Sequence, residues 1–286
     1  MHYPRTCPCH PVERFLMYDA ADCRSSTVMD CVHQCVPELE RIKSVMTPLL
    51  SSRRAVGDDG ESIDVSKLSI CPDAARVLED MVETVAPMHA VEIGCATGAS
   101  TLCIASGMLK AGSLGPASID VADPKQSSHW KNMGRLHLQA AGLEEAVSIH
   151  EECAHEMLPR LLSQGVKIGF AFIDGWHMLD YIMVEAFFCD QMLQLGGVIA
   201  LHDYWMPATQ HFASFWCTNR NYEPVICRDG RIVNAPANFT PALKPCHYEH
   251  SRFFRDQLAQ FVDEKILFLR KTAHDERKWD FYCDYT

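Results

Sequence analysis

Between residues 72 and 203, helical and strand-like segments alternate five times, and this alternation constrains the fold more than any other feature of the sequence. The strand-like segments, such as KIGFAFID (167–174) and GVIALHD (197–203), are short and almost continuously apolar. Strands that are apolar on both faces are typical of a parallel sheet covered by helices on both sides. We therefore predict an α/β fold with a doubly wound, mostly parallel, Rossmann-like sheet. The apolar stretch KILFLRKT (265–272) is a candidate for a C-terminal strand.

The segment that precedes this alternation has a different pattern. Between residues 25 and 50, apolar side chains recur at helical spacing, although Pro37 should kink the helix or divide it. A polar stretch, SSRRAVGDDGES (51–62), follows and is typical of a linker. We predict a helical N-terminal extension or cap over 1–66 and a main domain over 67–286, in which 206–250 is an insertion.

Composition excludes several classes of partner. The net charge is −11 and no block of Lys or Arg occurs, so neither nucleic acid nor an anionic membrane surface is an expected partner. The N-terminus lacks the apolar core of a signal peptide, and no apolar run reaches the ~18 residues of a membrane span. The 14 cysteines among 286 residues are scattered, which is typical of thiols in a reducing compartment. We expect a cytoplasmic protein, and a homodimer is one possible assembly.

In open α/β sheets, ligands bind beyond the carboxyl ends of the strands, so the residues that follow each strand are the candidates for a site. The first strand runs into VEIGCATGAS, where Gly94 and Gly98 let the backbone pass close to a ligand. Ala96 replaces the middle glycine of the dinucleotide fingerprint, and Glu92 would repel a pyrophosphate. This favours S-adenosylmethionine (SAM), which carries a sulfonium and an ammonium, over NAD, while a plain tight turn stays an alternative. The other candidate contacts in this stretch are Cys95, Thr97 and Ser100.

The second strand ends in SIDVADP, and a carboxylate at this position can accept hydrogen bonds from both ribose hydroxyls of an adenosine. Asp123, which lies just past the strand, is the first candidate, and Asp120, within the strand, is the second. Either side chain could instead cap the following turn.

At the next strand ends the chain resembles a known family. The stretches VEIGCATGAST, SIDVADP, FIDGWH and GGVIALHDYW are similar to motifs of the class I SAM-dependent methyltransferases, and in particular of small-molecule O-methyltransferases of the macrocin and catechol type. The resemblance covers roughly 70–227 together with the tail at 266–281. It implies SAM as the cofactor and places Cys153 and Ala154 beside its adenine.

The resemblance also implies roles for the acids at the ends of the fourth and fifth strands. In the metal-dependent branch of the family, residues at the positions of Asp174, His202 and Asp203 hold a divalent cation, and Asp174 also lies beside the cofactor. Carboxylate oxygens suit Mg²⁺, whereas an imidazole ligand shifts the preference toward Mn²⁺ or another transition metal. His202 could instead contact the metal ligands without binding the ion itself. His177 falls where the catechol enzymes have a catalytic lysine and is a candidate general base.

Three aromatic residues lie next to these acids and could wall a flat substrate pocket, or could simply pack in the core or rim: Trp176, Tyr204 and Trp205. The sequence thus predicts a SAM-dependent enzyme that methylates a hydroxyl of a small molecule with the help of a metal, with the N-terminal helices and 206–250 closing over the pocket. Metal-independent N-methylation with His177 as the base is the main alternative. An NAD-dependent oxidoreductase and a non-catalytic SAM-binding protein are weaker ones.

Overall fold

The computed structural model describes residues 26–234 and 258–285, with side chains described from residue 36 onward. The helices are α1 (Ser26–Ser52), α2 (Pro72–Val85), α3 (Ala99–Lys110), α4 (Met133–Ala141), α5 (Ala154–Ser163), α6 (Leu179–Met192) and α7 (Pro207–Asn219). The strands are β1 (Arg54–Val56), β2 (Ser62–Asp64), β3 (Ala90–Ile93), β4 (Ile119–Ala122), β5 (Val147–His150), β6 (Ile168–Ile173), β7 (Leu193–Leu201), β8 (Tyr222–Arg228), β9 (Arg231–Asn234), β10 (Val262–Asp263) and β11 (Ile266–Lys271).

One nine-stranded sheet organises the molecule, and its main path runs in the order β5-β4-β3-β6-β7-β11-β8-β9. Strands β3 to β7 pair in parallel, whereas β11 lies antiparallel between β7 and β8. The order reverses between β3 and β6, which are neighbours although β4 and β5 separate them in the chain. This reversal is a topological switch point, where a ligand site is expected. The predicted doubly wound sheet with its C-terminal strand is confirmed.

The sheet is covered on both faces because its central strands are apolar at almost every position. All residues of β3, β4 and β6 are buried. Side chains that alternate along β6 enter two separate cores: Phe170 and Phe172 pack with α1 to α4, and Ala171 and Ile173 pack with α5 to α7. Because side chains alternate between the two faces of a strand, one strand contributes apolar side chains to both cores.

Two expectations for the N-terminal region were wrong. The helix α1 continues past Pro37 without a break, and its C-terminal half buries Ile42, Met46 and Leu49 in the core with α3 and α4. This burial stabilises the helix although the proline removes one backbone hydrogen bond. The predicted linker at 51–62 instead contains β1 and the first residue of β2, and the two strands pair as an antiparallel hairpin.

The C-terminal region extends the sheet. The stretch EPVICR (223–228) forms most of β8, which is followed by β9, and the short β10 precedes β11. Part of the predicted insertion, residues 235–250, lies outside the described residues. The division at residue 66 stays a prediction. In the part of the chain that the structure describes, no helix is both long and apolar enough to cross a membrane.

Candidate active site

A cavity of about 870 Å³ opens at the carboxyl ends of the parallel strands, on both sides of the switch point. The loops that follow β3, β4, β6 and β7 all contribute to its wall, together with the N-terminus of α5. Among the predicted site residues, the following line it: Gly94, Cys95, Ser100, Asp123, Cys153, Ala154, Asp174, Trp176, His177, His202, Asp203 and Trp205.

The loop after β3 passes close to the end of β6. Gly94 has a φ of +92°, and a Cβ atom at this position would lie 2.3 Å from the carbonyl oxygen of Asp174. Glycine is required here for both reasons. The loop is fixed by the Asp123 carboxylate, which accepts hydrogen bonds from the backbone N–H groups of Cys95 (3.2 Å) and Ala96 (2.7 Å).

The two aspartates proposed for the ribose lie in different places. Asp123 lines the cavity, but its carboxylate also accepts hydrogen bonds from Gln126 Nε2 (2.9 Å) and the backbone of Lys125 (2.9 Å). Its ribose role stays a prediction. Asp120 does not line the cavity, contrary to expectation, because its oxygens bind His89 Nε2 (2.8 Å) and His150 Nε2 (2.6 Å) elsewhere.

Three residues of the first motif support the loop and do not line the cavity. Thr97 donates a hydrogen bond to the Ser69 hydroxyl, and Gly98 is the N-cap of α3. Glu92 is fully buried, and the hydroxyls of Ser100 and Thr101 donate to its carboxyl group. Burial raises the pKa of Glu92 to about 8, so the group is largely neutral at pH 7. The predicted role of Glu92 beside the cofactor stays a prediction.

The acids after β6 and β7 meet at one end of the cavity. His177 Nε2 lies 3.5 Å from Asp174 Oδ1 and 3.5 Å from Asp203 Oδ2. Ligand atoms of these three residues all lie within 4.8 Å of one another, so they could share one ion. His177 Nε2 is buried and has no hydrogen-bond partner among the described residues. Asp203 adopts a φ of +50°, a strained conformation of the kind found at functional sites.

His202 has a different position from the one predicted for a metal ligand. Its Nδ1 atom donates a hydrogen bond to Asp174 Oδ1 at 2.9 Å. Burial favours the neutral imidazole, but the carboxylate of Asp174 outweighs it and raises the pKa of His202. The pKa of Asp174 is lowered although burial opposes the shift, because His202 and His177 lie beside the carboxylate. This position fits the alternative in which His202 orients Asp174, while His177 lies between the two carboxylates that could bind a metal.

Two of the three predicted aromatic residues are at the cavity. Trp176 and Trp205 line it and are 50% and 61% exposed, so they form a rim. Trp205 Nε1 donates a hydrogen bond to Asp203 Oδ1 at 2.9 Å. Tyr204 is not part of the cavity wall: it is 4% exposed and packs in the core with α7.

Sequence reasoning missed several parts of the wall. Residues 66–71, residues 128–130 and Lys265, in the turn before β11, were not considered for the site. The described parts of α1 and of 206–234, which were expected to cover the cavity, contribute no residue to its wall. Glu185 of α6 was also missed, although it is the one acid in the apolar stretch YIMVEAFFC (181–189). An acid inside an apolar helical face is a signal that could have been used.

Comparisons with known proteins agree with this geometry. Residues 91–204 match a protein family described as a methyltransferase domain. A caffeoyl-CoA O-methyltransferase from Stellaria longipes is 29% identical over 143 residues, which is 49% of this chain and 56% of the relative. The structure of a putative O-methyltransferase from Klebsiella pneumoniae is similar, with a TM-score of 0.50 and 13% identity, over 87% of this chain and 97% of the other.

The match to a methyltransferase domain over residues 91–204 and the similarity to an O-methyltransferase confirm the resemblance predicted from the strand-end motifs. The structural similarity shows the Rossmann-like fold of this class. Because the match covers just over half of the curated relative, it does not extend to that protein's substrate.

Proposed function

We propose that the protein transfers a methyl group from SAM to a hydroxyl oxygen of a small molecule, with a divalent metal ion held at Asp174 and Asp203. The observation that carries this proposal is the cluster at the end of the cavity. There, His177 Nε2 lies 3.5 Å from a carboxylate oxygen of each aspartate and makes no hydrogen bond within the described part of the chain. The methyltransferase relationship supports SAM, and the name of the Stellaria longipes relative, an O-methyltransferase, supports oxygen as the acceptor.

The cavity fits SAM. Its volume of about 870 Å³ is in the upper part of the ~300–1,000 Å³ range of small-molecule sites, which leaves space for an acceptor beside the cofactor. The absence of a side chain at Gly94 keeps the backbone open at the switch point. The cavity also contains a buried carboxyl oxygen, Oε2 of Glu185, that has no hydrogen-bond partner among the residues described.

The donor set at the other end fits a divalent ion. Two carboxylates supply the oxygen ligands that Mg²⁺ prefers, and the nearby imidazole is compatible with Mn²⁺ as well. Asp174 is held in its ionised form by His202, which is the state that a metal ligand needs. We favour Mg²⁺ because both strand-end ligands are carboxylates.

Each residue has a separate task in this proposal. When bound, SAM supplies a methyl group on a positively charged sulfur, and a divalent ion lowers the pKa of a hydroxyl group that it contacts. Asp174 and Asp203 hold the ion and so fix the place of the acceptor. His177 accepts the hydroxyl proton at Nε2, and Trp176 and Trp205 restrict the acceptor to one orientation.

A second candidate function follows from the same histidine. His202 already donates to Asp174 at 2.9 Å, so the cluster could act without an ion, with His177 Nε2 accepting a proton from an amine. Metal-independent N-methylation is the function that this arrangement would support.

Transfer of a labelled methyl group distinguishes the two functions. Chelator-treated protein is given SAM with a radioactive methyl group and either catechol or aniline, with and without Mg²⁺ or Mn²⁺. The proposal predicts labelled catechol product only when metal is present, and loss of that product in Asp203→Asn but not in Asp120→Asn. Labelled aniline without metal would support the second function, and catechol turnover that a chelator leaves unchanged would contradict the metal role.

A further inference from the structure

A second group of metal-ligating side chains lies at the N-terminus of α5, on a different loop from the acids after β6 and β7. One ligand atom of each of Cys153, His155 and Glu156 lies within 4.8 Å of the other two. The cysteine is half-buried, whereas the histidine and the glutamate are exposed. A thiolate, an imidazole and a carboxylate together suit a transition metal such as Zn²⁺, whereas Mg²⁺ selects oxygen ligands.

The start of the helix brings these side chains together. Cys153 is the N-cap residue of α5, so His155 and Glu156 belong to its first turn. The backbone N–H of Cys153 donates a hydrogen bond to Glu156 Oε2 (3.1 Å), and the ring of His155 packs edge-on against Tyr181, with 6.1 Å between the ring centroids. A tetrahedral ion with bonds of ~2.0–2.3 Å separates its ligand atoms by about 3.2–3.8 Å. Rotations of the two exposed side chains are therefore enough to complete the site.

The charges of this group favour a cation. Burial raises the pKa of the Cys153 thiol, and the neighbouring carboxylate of Glu156 raises it further. An ion bound to both groups replaces this repulsion with attraction. The positive end of the α5 dipole opposes a bare cation but favours anionic ligands, and a divalent ion with one thiolate and one carboxylate has no net charge.

A buried carboxyl group shares its surroundings with the same residues. Glu185 of α6 is 2% exposed, and its Oε2 atom has no hydrogen-bond partner in the described part of the chain. It lines the main cavity together with Cys153, and a side pocket of about 130 Å³ together with His155. A protonated carboxyl group both donates and accepts hydrogen bonds, so Glu185 can pair with a water molecule bound to the ion, as groups behind metal ligands commonly do.

We infer that Cys153, His155 and Glu156 form a second metal site, which takes Zn²⁺ or a similar transition metal rather than Mg²⁺. Three protein ligands leave the fourth position of a tetrahedral ion to water. The inference goes beyond the proposed function and does not depend on it, because none of the three ligands belongs to the Asp174 cluster. Since Cys153 also lines the cavity, the site places a transition metal at the cavity wall.

The test uses Co²⁺ as a spectroscopic substitute for Zn²⁺, because a cobalt–thiolate bond gives a charge-transfer band that the Asp174 cluster, which has no cysteine, does not give. Reduced, chelator-treated full-length protein is titrated with Co²⁺ in the presence of Mg²⁺, and thermal unfolding verifies that each variant folds. We expect the band in the wild type and in Cys227→Ser, whose cysteine is also free and half-buried, but not in Cys153→Ser. His155→Ala and Glu156→Gln should each weaken Co²⁺ binding by at least about tenfold. Zn²⁺ should remove the band by displacing Co²⁺, whereas excess Mg²⁺ should leave it unchanged.

Three results overturn the inference. The first is a wild type without the band, or a Cys153→Ser variant that keeps it. The second is a Co²⁺ affinity that His155→Ala and Glu156→Gln leave unchanged, because the thiol would then hold an adventitious ion only. The third is loss of the band on addition of Mg²⁺, which would show that the site does not select a transition metal.

Discussion

Two clusters among the described residues have an aspartate between two histidines, and only the cluster of Asp174 lines the cavity. Asp120 receives short hydrogen bonds from His89 (2.8 Å) and His150 (2.6 Å), one on each carboxylate oxygen. Asp174 receives one hydrogen bond, from His202 at 2.9 Å, and its second histidine, His177, is 3.5 Å away. The same residue types thus form one cluster in which both carboxylate oxygens accept hydrogen bonds, and one in which His177 Nε2 makes no hydrogen bond among the described residues.

The two clusters also differ in their position relative to the cavity. Asp174 lines the cavity and has a second carboxylate, Asp203, close to the same histidine. Asp120 does not line the cavity. Burial would raise the pKa of Asp120, but the hydrogen bonds from His89 and His150 outweigh it and lower the pKa. A shifted pKa of an acid therefore indicates a functional site only when a hydrogen-bond donor or acceptor beside it is unpaired and faces a cavity.

The largest expected effect is on turnover in Asp203→Asn. We expect a loss of at least ~100-fold in kcat, because one oxygen ligand of the ion is removed, while the affinity for S-adenosylhomocysteine stays within about twofold of wild type. Asp120→Asn is the matched control, with kcat near the wild-type value. Steady-state kinetics with calorimetry measures both, and equal losses in the two variants would erase the distinction between the clusters.

The second prediction reverses the comparison and concerns stability. Asp120→Asn should lower the free energy of unfolding by about 2 kcal/mol, since two charge-assisted hydrogen bonds are weakened. Asp203→Asn, whose carboxylate is partly exposed, should change it by less than about 1 kcal/mol. Urea unfolding at pH 7 compares the variants. A greater loss of unfolding free energy in Asp203→Asn than in Asp120→Asn would mean that the cavity cluster also stabilises the fold.

Glu92 gives a third prediction, because it is another buried acid whose partners all come from the chain. Its pKa is raised from 4.5 to about 8, so the folded state keeps the proton while the unfolded state releases it. The contribution of Glu92 to the free energy of unfolding of the wild type is therefore lost as the pH rises from about 4.5 to about 8. The loss is on the order of 2 kcal/mol or more. Glu92→Gln should lack this contribution and gain stability relative to wild type between pH 5 and pH 8. A pH-independent difference between the two proteins would contradict the neutral state of Glu92.

The smallest expected effect concerns the rim. Trp205→Phe removes the hydrogen bond from Nε1 to Asp203 Oδ1 but keeps an aromatic ring. We expect kcat to fall about threefold, because an exposed hydrogen bond competes with water. Trp176→Phe, which removes no hydrogen bond to Asp203 recorded in the described residues, is the control and should change kcat less. The reverse order would show that Trp205 does not orient the acid.

The sequence predicted the sheet well because its central strands are apolar on both faces and their ends carry motifs. The same rule located Asp174, His177 and Asp203, since residues at the ends of parallel neighbours must meet. It does not extend to Asp120 and Glu92, which lie within β4 and β3, and it could not decide between a pocket and a core position for Tyr204.

The remaining parts of the site depend on tertiary packing. Residues 66–71 and Lys265 reach the cavity from segments far away in the chain, and no local pattern identifies them. The hairpin of β1 and β2 was not predicted because its residues are mostly polar and exposed and so lack the apolar pattern of a buried strand. Glu185 could have been found, since an acid in an apolar helical stretch needs a reason.

The central claim is that the Asp174 cluster binds a metal ion beside SAM and that the Asp120 cluster does not. The most direct test is calorimetry on chelator-treated protein: S-adenosylhomocysteine is titrated first, and Mg²⁺ or Mn²⁺ is then titrated into the loaded protein. We predict binding of the cofactor product, then of metal at a single site, with metal affinity at least about tenfold weaker in Asp203→Asn and unchanged in Asp120→Asn. Loaded wild-type protein that binds no metal, or metal binding that Asp203→Asn leaves intact, would contradict the account.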